Sequence, residues 1–118
     1  MAQTWFGRIA KAYLSLGRAI LVAFANREVL LLFSLTTLVA FGGAIVFMLL
    51  EDWYFIDAVY FAIVSMATVG YGDLSPETNL GKLFTIGYLI IGVGIFVLTV
   101  AAVAEAILSE LRRTRNGG

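Results

Sequence analysis

Two runs of 22 residues without a charged side chain, 29–50 and 83–104, constrain this chain more than any other feature. At 1.5 Å per residue, a helix of that length spans about 33 Å, which matches the hydrocarbon core of a bilayer. The chain has only 118 residues, yet 61% of them are hydrophobic. So small a soluble domain would expose mostly surface and needs more polar residues. The sequence therefore predicts an all-α membrane protein with two transmembrane helices, at 29–50 and 83–108.

Charge is distributed unevenly around these two spans. The segment 51–82 carries five acidic residues against Lys82 alone. The two ends carry seven basic residues: Arg8, Lys11, Arg18, Arg27, Arg112, Arg113 and Arg115. Because cytoplasmic loops of membrane proteins are enriched in Lys and Arg, both termini are expected in the cytoplasm. This predicts a multi-pass protein of the inner (plasma) membrane.

The residue types present exclude several kinds of chemistry. The chain has no cysteine and no histidine, which excludes disulfides, thiol nucleophiles and histidine-based metal sites. No pairing of a nucleophile with a base is recognisable. We therefore expect neither an enzymatic activity, nor an organic cofactor, nor a nucleic-acid partner.

The first 25 residues have the pattern of an amphipathic helix. Basic residues recur on one face, while aromatic and aliphatic residues occupy much of the remainder. A basic helix of this kind suits the headgroup layer of a membrane, and a short soluble helix is the alternative. Asn26 is placed to cap the next helix. This divides the chain into an interfacial helix (1–25), a central domain with both spans (26–111) and a basic tail (112–118).

Between the spans lies an uncharged stretch, 58–72, that is too short to cross a bilayer. Its apolar part predicts a short helix over 57–67, with Asp57 near the positive end of the helix dipole. Its end, Thr68–Gly72, reads Thr-Val-Gly-Tyr-Gly and is rich in glycine, which predicts a non-helical segment. Non-helical backbone at membrane depth is tolerated only when it is buried in protein or lines an aqueous cavity.

The order of span, short helix, Thr-Val-Gly-Tyr-Gly-Asp and span resembles the pore of prokaryotic two-transmembrane potassium channels. It is most similar to the calcium-gated channels and the sodium–potassium channel group. The resemblance covers about residues 27–108 and includes three further motifs, Asp57–Phe61, Leu74–Pro76 and Gly92–Gly94. It implies a homotetramer in the lipid bilayer, with K⁺ as the permeant ion. The same five-residue string forms the selectivity filter of potassium channels.

The resemblance also assigns roles to residues in and around this filter. Oxygens of Thr68, Val69, Gly70 and Tyr71 would surround the ion, and Gly72 would complete the filter. Tyr71, in place of the Asp of non-selective filters, favours K⁺ over mixed cation passage. The residues expected to support the filter are Tyr60, Phe61, Ser65 and Asp73. Because some relatives carry Glu where this chain has Val64, Asp73 either needs another partner or faces water. Of the two, we predict a hydrogen bond from Tyr60.

The second span carries the features expected to govern conduction. Gly92 matches the hinge of the family, although a glycine there could equally serve close packing. The residues expected to line the cavity and inner pore are Phe96, Val97, Val100, Ala101 and Glu105. Glu105 would form a ring of carboxylates in a tetramer, and the alternative is an ion pair with a basic residue of the tail such as Arg112.

The leading interpretation is a potassium-selective channel that conducts passively. One alternative is a less selective monovalent cation channel, and another is the pore subunit of a larger gated channel with a C-terminal regulatory domain. A membrane adaptor would explain the spans but not the filter string. A potassium transporter would need several such repeats in one chain. The sequence contains no Arg-rich voltage-sensing helix.

Overall fold

The computed structural model of the protein describes residues 2–117, with side chains for 4–113, 115 and 116. Within that range there are four helices and no strand: α1 (Ala2–Ala25), α2 (Arg27–Glu51), α3 (Phe55–Met66) and α4 (Asn79–Gly117). This confirms the predicted all-α fold. The chain forms two compact units, one of Leu32–Thr99 and one of the residues before and after it. The first of these units holds the filter string.

Helices α2 and α4 are both long and apolar enough to cross a membrane, with mean hydropathies of 2.3 and 2.5. Helix α2 exceeds the predicted span by only a few residues. Helix α4 begins at Asn79 rather than 83 and continues through the predicted basic tail to Gly117. The extension at the C-terminal end contains Glu110, Leu111 and three Arg residues, which favour helix.

Asn26 separates α1 from α2 and caps the second helix, as predicted. Its side-chain oxygen accepts a hydrogen bond of 2.9 Å from the backbone N–H of Glu28. Its own carbonyl accepts the first helical bond, from the N–H of Leu30 at 3.0 Å. This is the usual geometry of an N-cap, in which a short polar side chain satisfies a helix donor that has no intrahelical partner.

Phe47 of α2 is the centre of the core of the filter-bearing unit, with no exposed surface. Its ring packs against four others at centroid distances of 4.9–5.8 Å: Trp53, Phe61, Phe84 and Tyr88. Alanines of α2 and α3 surround this aromatic cluster and allow the helices to approach closely. The core therefore joins α2, α3 and α4 through one side chain.

Small and polar residues make further contacts between the two spans. A Cβ atom added to Gly43 would lie 2.6 Å from the ring of Tyr88, whereas Gly42 faces open space. Thr36 and Thr99 share a hydrogen bond of 2.5 Å, and the Thr99 hydroxyl also lies 2.8 Å from the carbonyl oxygen of Ile95. Gly43 therefore serves packing between the helices of one chain, whereas Gly42 meets no atom of its own chain.

We predict that Phe47→Ala lowers the free energy of unfolding by about 3 kcal/mol, because the cavity left behind is bounded by three helices that cannot all collapse into it. Leu49→Ala is the matched control, since Leu49 lies on the same helix and is 77% exposed. Thermal or denaturant unfolding of the purified protein in detergent measures both. Equal effects of the two substitutions would contradict the central role of Phe47.

Candidate functional site

The site is built on the short helix α3, which begins at Phe55, two residues before the predicted start. Tyr54 precedes it in an extended conformation, and its carbonyl accepts the N–H of Ala58 at 3.0 Å. The early start has a packing reason, because the ring of Phe55 lies 6.0 Å from that of Phe41 on α2. Asp57 thus lies in the first helical turn, where its charge still complements the helix dipole.

The segment after α3 folds back onto the end of that helix through its N–H groups. Thr68 donates to the carbonyl of Ser65 at 3.1 Å, and Val69 and Gly70 both donate to the carbonyl of Val64, at 3.0 and 3.3 Å. The carbonyl groups of Thr68–Gly72 accept no hydrogen bond within residues 2–117. The first three donors of this segment, those of Thr68, Val69 and Gly70, are therefore committed to α3, while its carbonyls are left available.

The backbone of the segment alternates between the two signs of φ. Thr68, Gly70 and Gly72 have φ of 62°, 56° and 80°, whereas Val69 and Tyr71 between them keep ordinary negative values. In a regular strand successive carbonyls point to opposite sides, and inverting every second residue brings them to the same side. A Cβ at Gly70 or Gly72 would meet no atom within 4 Å, so it is this backbone conformation that calls for glycine.

Thr68 is the residue of this segment whose conformation the sequence did not indicate. A β-branched residue at positive φ is an outlier that costs of the order of 1–3 kcal/mol and persists only where the surroundings impose it. Here the hydrogen bond from its N–H to Ser65 holds it in place. Strain of this kind is typical of functional sites.

The predicted bond between Tyr60 and Asp73 is present. The Tyr60 hydroxyl donates to a carboxylate oxygen of Asp73 at 2.9 Å. This hydrogen bond, followed by loss of solvation, raises the pKa of Tyr60 above its ordinary value. The bond links α3 to the residue that follows Gly72.

The remaining predicted support residues also lie behind the segment. Tyr60, Phe61, Ser65 and Asp73 all line a cavity of about 150 Å³ that reaches Gly70–Gly72 from the α3 side. Phe61 is buried, and its ring also packs edge-on to Phe47 at 4.9 Å. The structure thus brings the four residues together on one side of the filter string and ties them to the core.

Glu51, at the end of α2, is a positioning residue that sequence reasoning missed. Its carboxylate accepts hydrogen bonds from the N–H groups of Glu77 and Thr78, at 3.1 Å each, and from the Thr78 hydroxyl at 2.8 Å. The Thr78 hydroxyl in turn accepts the N–H of Gly81 at 3.0 Å and so caps α4. This clamp, formed by Glu51, Thr78 and Gly81, fixes the point where the chain leaving Asp73 enters α4.

The predicted hinge, Gly92, is buried against α3. A Cβ added there would lie 3.3 Å from the end of Met66 and 3.7 Å from Tyr88. The structure therefore supports a role of Gly92 in close packing. Its role as a hinge stays a prediction. Phe96, which was predicted to line the cavity, is half-buried and packs against the core, so only part of its ring is free to face a pore.

The other predicted inner-pore residues are exposed in the single chain. Val97, Val100 and Ala101 all lie on exposed positions of α4. Glu105 is exposed too, and lines a cavity of about 500 Å³ in the unit formed by the chain ends, where Glu28 and Glu110 are its acidic neighbours. The carboxylate ring proposed for Glu105 remains a prediction.

The part of the chain that holds the two spans and the filter string is also the part that matches known proteins. A sequence model described as an ion channel matches residues 34–109, well over half of the chain. The chain belongs to this ion-channel family. The match begins in α2, ends in α4 and includes the whole filter string, so the resemblance predicted from the sequence is confirmed.

Individual relatives of this ion channel are named as potassium channels. Potassium channel protein 1 of Methanocaldococcus jannaschii is 44% identical over 62 residues, 52% of this chain and 19% of the relative. Probable potassium channel protein 2 of the same organism is 38% identical over 60 residues, 51% of this chain and 18% of the relative. Two-pore potassium channel 2 of Arabidopsis thaliana is 33% identical over 73 residues, 56% of this chain and 16% of the relative. The chain thus spans under a fifth of the length of each.

We predict that Gly81→Ala destabilises the channel, because its Cβ would collide with the Glu51 carboxylate. In a Glu51→Ala background the same substitution should destabilise the protein much less, because only the contact of the new Cβ with the Thr78 hydroxyl oxygen, at 2.8 Å, remains. Unfolding of the four proteins of this double-mutant cycle measures the difference. An equal loss of stability in both backgrounds would show that the Glu51 carboxylate does not constrain position 81.

Proposed function

We propose that this ion channel is a potassium-selective pore that conducts K⁺ passively through a homotetramer. The observation that carries the proposal is the Thr68–Gly72 backbone, in which φ alternates in sign while the carbonyls are left without partners. In the single chain these residues are exposed, so their carbonyls can be solvated. In an assembly that encloses them they would need another partner, because an unpaired polar group away from water is costly. A dehydrated cation would supply that partner.

Several copies of the filter are needed to surround an ion, since one backbone segment covers only one side of it. The side chains of Val69 and Tyr71 support this assembly, because they are 52% and 71% exposed in the single chain although both are apolar or aromatic. Neighbouring copies around a fourfold axis would cover them. Four sets of carbonyls then form stacked cages, with the Thr68 hydroxyls completing the innermost one.

Selectivity would come from carbonyl oxygens that replace the hydration shell of K⁺. The residues assigned to coordination are Thr68, Val69, Gly70 and Tyr71, with Gly72 completing the turn of the backbone. Tyr60, Phe61, Ser65 and Asp73 would hold the outer side of the filter, and the Tyr60–Asp73 bond is their most direct link. An ion passing between cages undergoes no covalent chemistry, so the proposed activity is transport rather than catalysis.

Conduction beyond the filter would pass along α4. Val97, Val100, Ala101 and the exposed edge of Phe96 would line the inner pore, with Glu105 near its cytoplasmic end. Bending at Gly92 would widen this passage, and the Met66 contact would have to rearrange for it to do so. The basic chain ends favour a cytoplasmic location for both termini, which makes the inner membrane the proposed site of the channel.

A second candidate is the pore portion of a larger gated channel. The chain covers only 16–19% of the three relatives described above, so most of each relative lies outside the matched segment. In this reading the gating stimulus would act through a domain that follows α4. A less selective cation pore is the other possibility. A comparison of Na⁺ and K⁺ flux through the reconstituted protein distinguishes it from the leading proposal.

Purified protein reconstituted into liposomes should pass K⁺ and Rb⁺ far better than Na⁺. The physical reason is the cage of carbonyl oxygens, which matches the larger, more easily dehydrated ions. Uptake of ⁸⁶Rb⁺ competed by each ion measures the ratio, and empty liposomes are the control. Equal competition by Na⁺ and K⁺ would leave a cation channel without potassium selectivity.

Thr68→Ala should weaken block by Ba²⁺ applied from the cytoplasmic side, because it removes the hydroxyls of the innermost cage while the backbone carbonyl remains. Thr85→Ala is the matched control, since the Thr85 hydroxyl is bonded within α4 to the carbonyl of Gly81 at 2.6 Å. Single-channel recording measures the blocked times. Unchanged block in Thr68→Ala would remove this hydroxyl from the ion path.

A further inference from the structure

Helix α1 lies outside the segment matched by the ion-channel family, and its surface has a use that the pore does not explain. Its buried positions form a narrow edge, where Ala19 and Ala23 are 0% and 1% exposed. Large apolar side chains occupy other faces and remain open: Phe6, Tyr13, Leu14 and Leu21 are 64–74% exposed. Helix α1 is thus amphipathic, but its larger apolar face is not the one that packs against the protein.

The basic residues of α1 lie beside this apolar face. Arg8, Lys11 and Arg18 are all exposed and fall within one third of the helix circumference, between the apolar face and the alanine edge. The helix contains no acidic residue to neutralise them. A helix with an apolar face bordered by basic residues is complementary to the surface of an anionic bilayer. The acyl chains accept the apolar face, and the negatively charged headgroups lie next to the basic side chains.

Two further features favour a membrane over another protein as the partner. The helix leads directly into a membrane span, with Asn26 as the only residue between α1 and α2. Trp5 and Tyr13 are exposed on it, and both side chains prefer the level of the lipid headgroups. A bilayer surface is therefore present next to α1 whenever the channel is in its membrane.

We propose that α1 is a binding site for anionic phospholipid headgroups of the cytoplasmic leaflet. Its apolar face inserts beneath the headgroups, and Arg8, Lys11 and Arg18 pair with lipid phosphates at the border. Lys and Arg near an anionic membrane surface each strengthen binding about fivefold, so the three together favour an anionic over a neutral neighbourhood by roughly 100-fold. The proposal stands on α1 alone and does not depend on which ion the pore conducts.

Tryptophan fluorescence of the full-length channel in vesicles tests this inference. The chain has two tryptophans, Trp5 and Trp53. Trp53→Phe keeps an aromatic ring beside Phe47. Trp5 lies on the alanine side of the helix, so the exchange Trp5→Phe with Phe6→Trp places the single reporter on the apolar face. Brominated lipids quench a tryptophan that they touch. At equal mole fraction, brominated phosphatidylglycerol in phosphatidylcholine should quench the reporter at position 6 more strongly than brominated phosphatidylcholine in the same mixture, and added salt should reduce the difference.

Charge-neutralising variants identify the residues responsible. The triple substitution Arg8→Gln, Lys11→Gln and Arg18→Gln should abolish the preference for the anionic quencher, whereas Arg8→Lys with Arg18→Lys should retain it. The matched control neutralises the other basic cluster, Arg112, Arg113 and Arg115, and should leave the preference unchanged. Equal quenching by both lipids in the reporter protein with its basic residues intact would overturn the proposal, and so would the absence of quenching by either. Neither readout requires ion flux, so failure here is distinguishable from failure of the proposed conduction.

Discussion

The hydrogen bonds from the filter string back to the end of α3 are the interaction on which the rest of the site depends. They commit the N–H groups of Thr68, Val69 and Gly70 to the carbonyls of Ser65 and Val64, while the carbonyls of the segment accept no hydrogen bond from residues 2–117. An isolated loop would satisfy its own donors and acceptors together. The separation of the two is the feature on which the proposed cation binding rests.

This arrangement requires α3 to be held firmly, and the fold does so from three directions. Phe47 locks the core between the spans, while the buried Tyr88 hydroxyl donates to the carbonyl of Ala62 at 2.8 Å. Tyr60 ties α3 to Asp73 beyond the filter, and the Glu51 clamp fixes the entry into α4. In a bilayer such polar contacts and close packing contribute a larger share of the stability than in water. The reason is that lipid is as apolar as the protein core, so burying apolar side chains gives little hydrophobic stabilisation.

The sequence-based predictions agree best with the structure where a feature depends only on the residues at that position, such as a membrane span or a positive φ. The charge-free runs indicated both spans, and the glycines at 70 and 72 indicated positive φ, which the structure has. The bond from Tyr60 to Asp73 followed from the family resemblance together with the apolar Val64. Boundaries agreed less well: α3 starts two residues early through packing of Phe55, and α4 continues past the apolar run because helix formers follow it.

The sequence by itself determined that this chain is a two-span membrane protein with a re-entrant filter, because hydropathy, charge and glycine placement act locally. Only the tertiary structure decided what Glu51, Gly81 and Thr68 do. Glu51 is 27 residues from Thr78, and nothing local shows that its carboxylate reaches those N–H groups or leaves no room for a side chain at 81. Thr68 has a positive φ that its own side chain disfavours, so that conformation comes from the hydrogen bonds and packing around it.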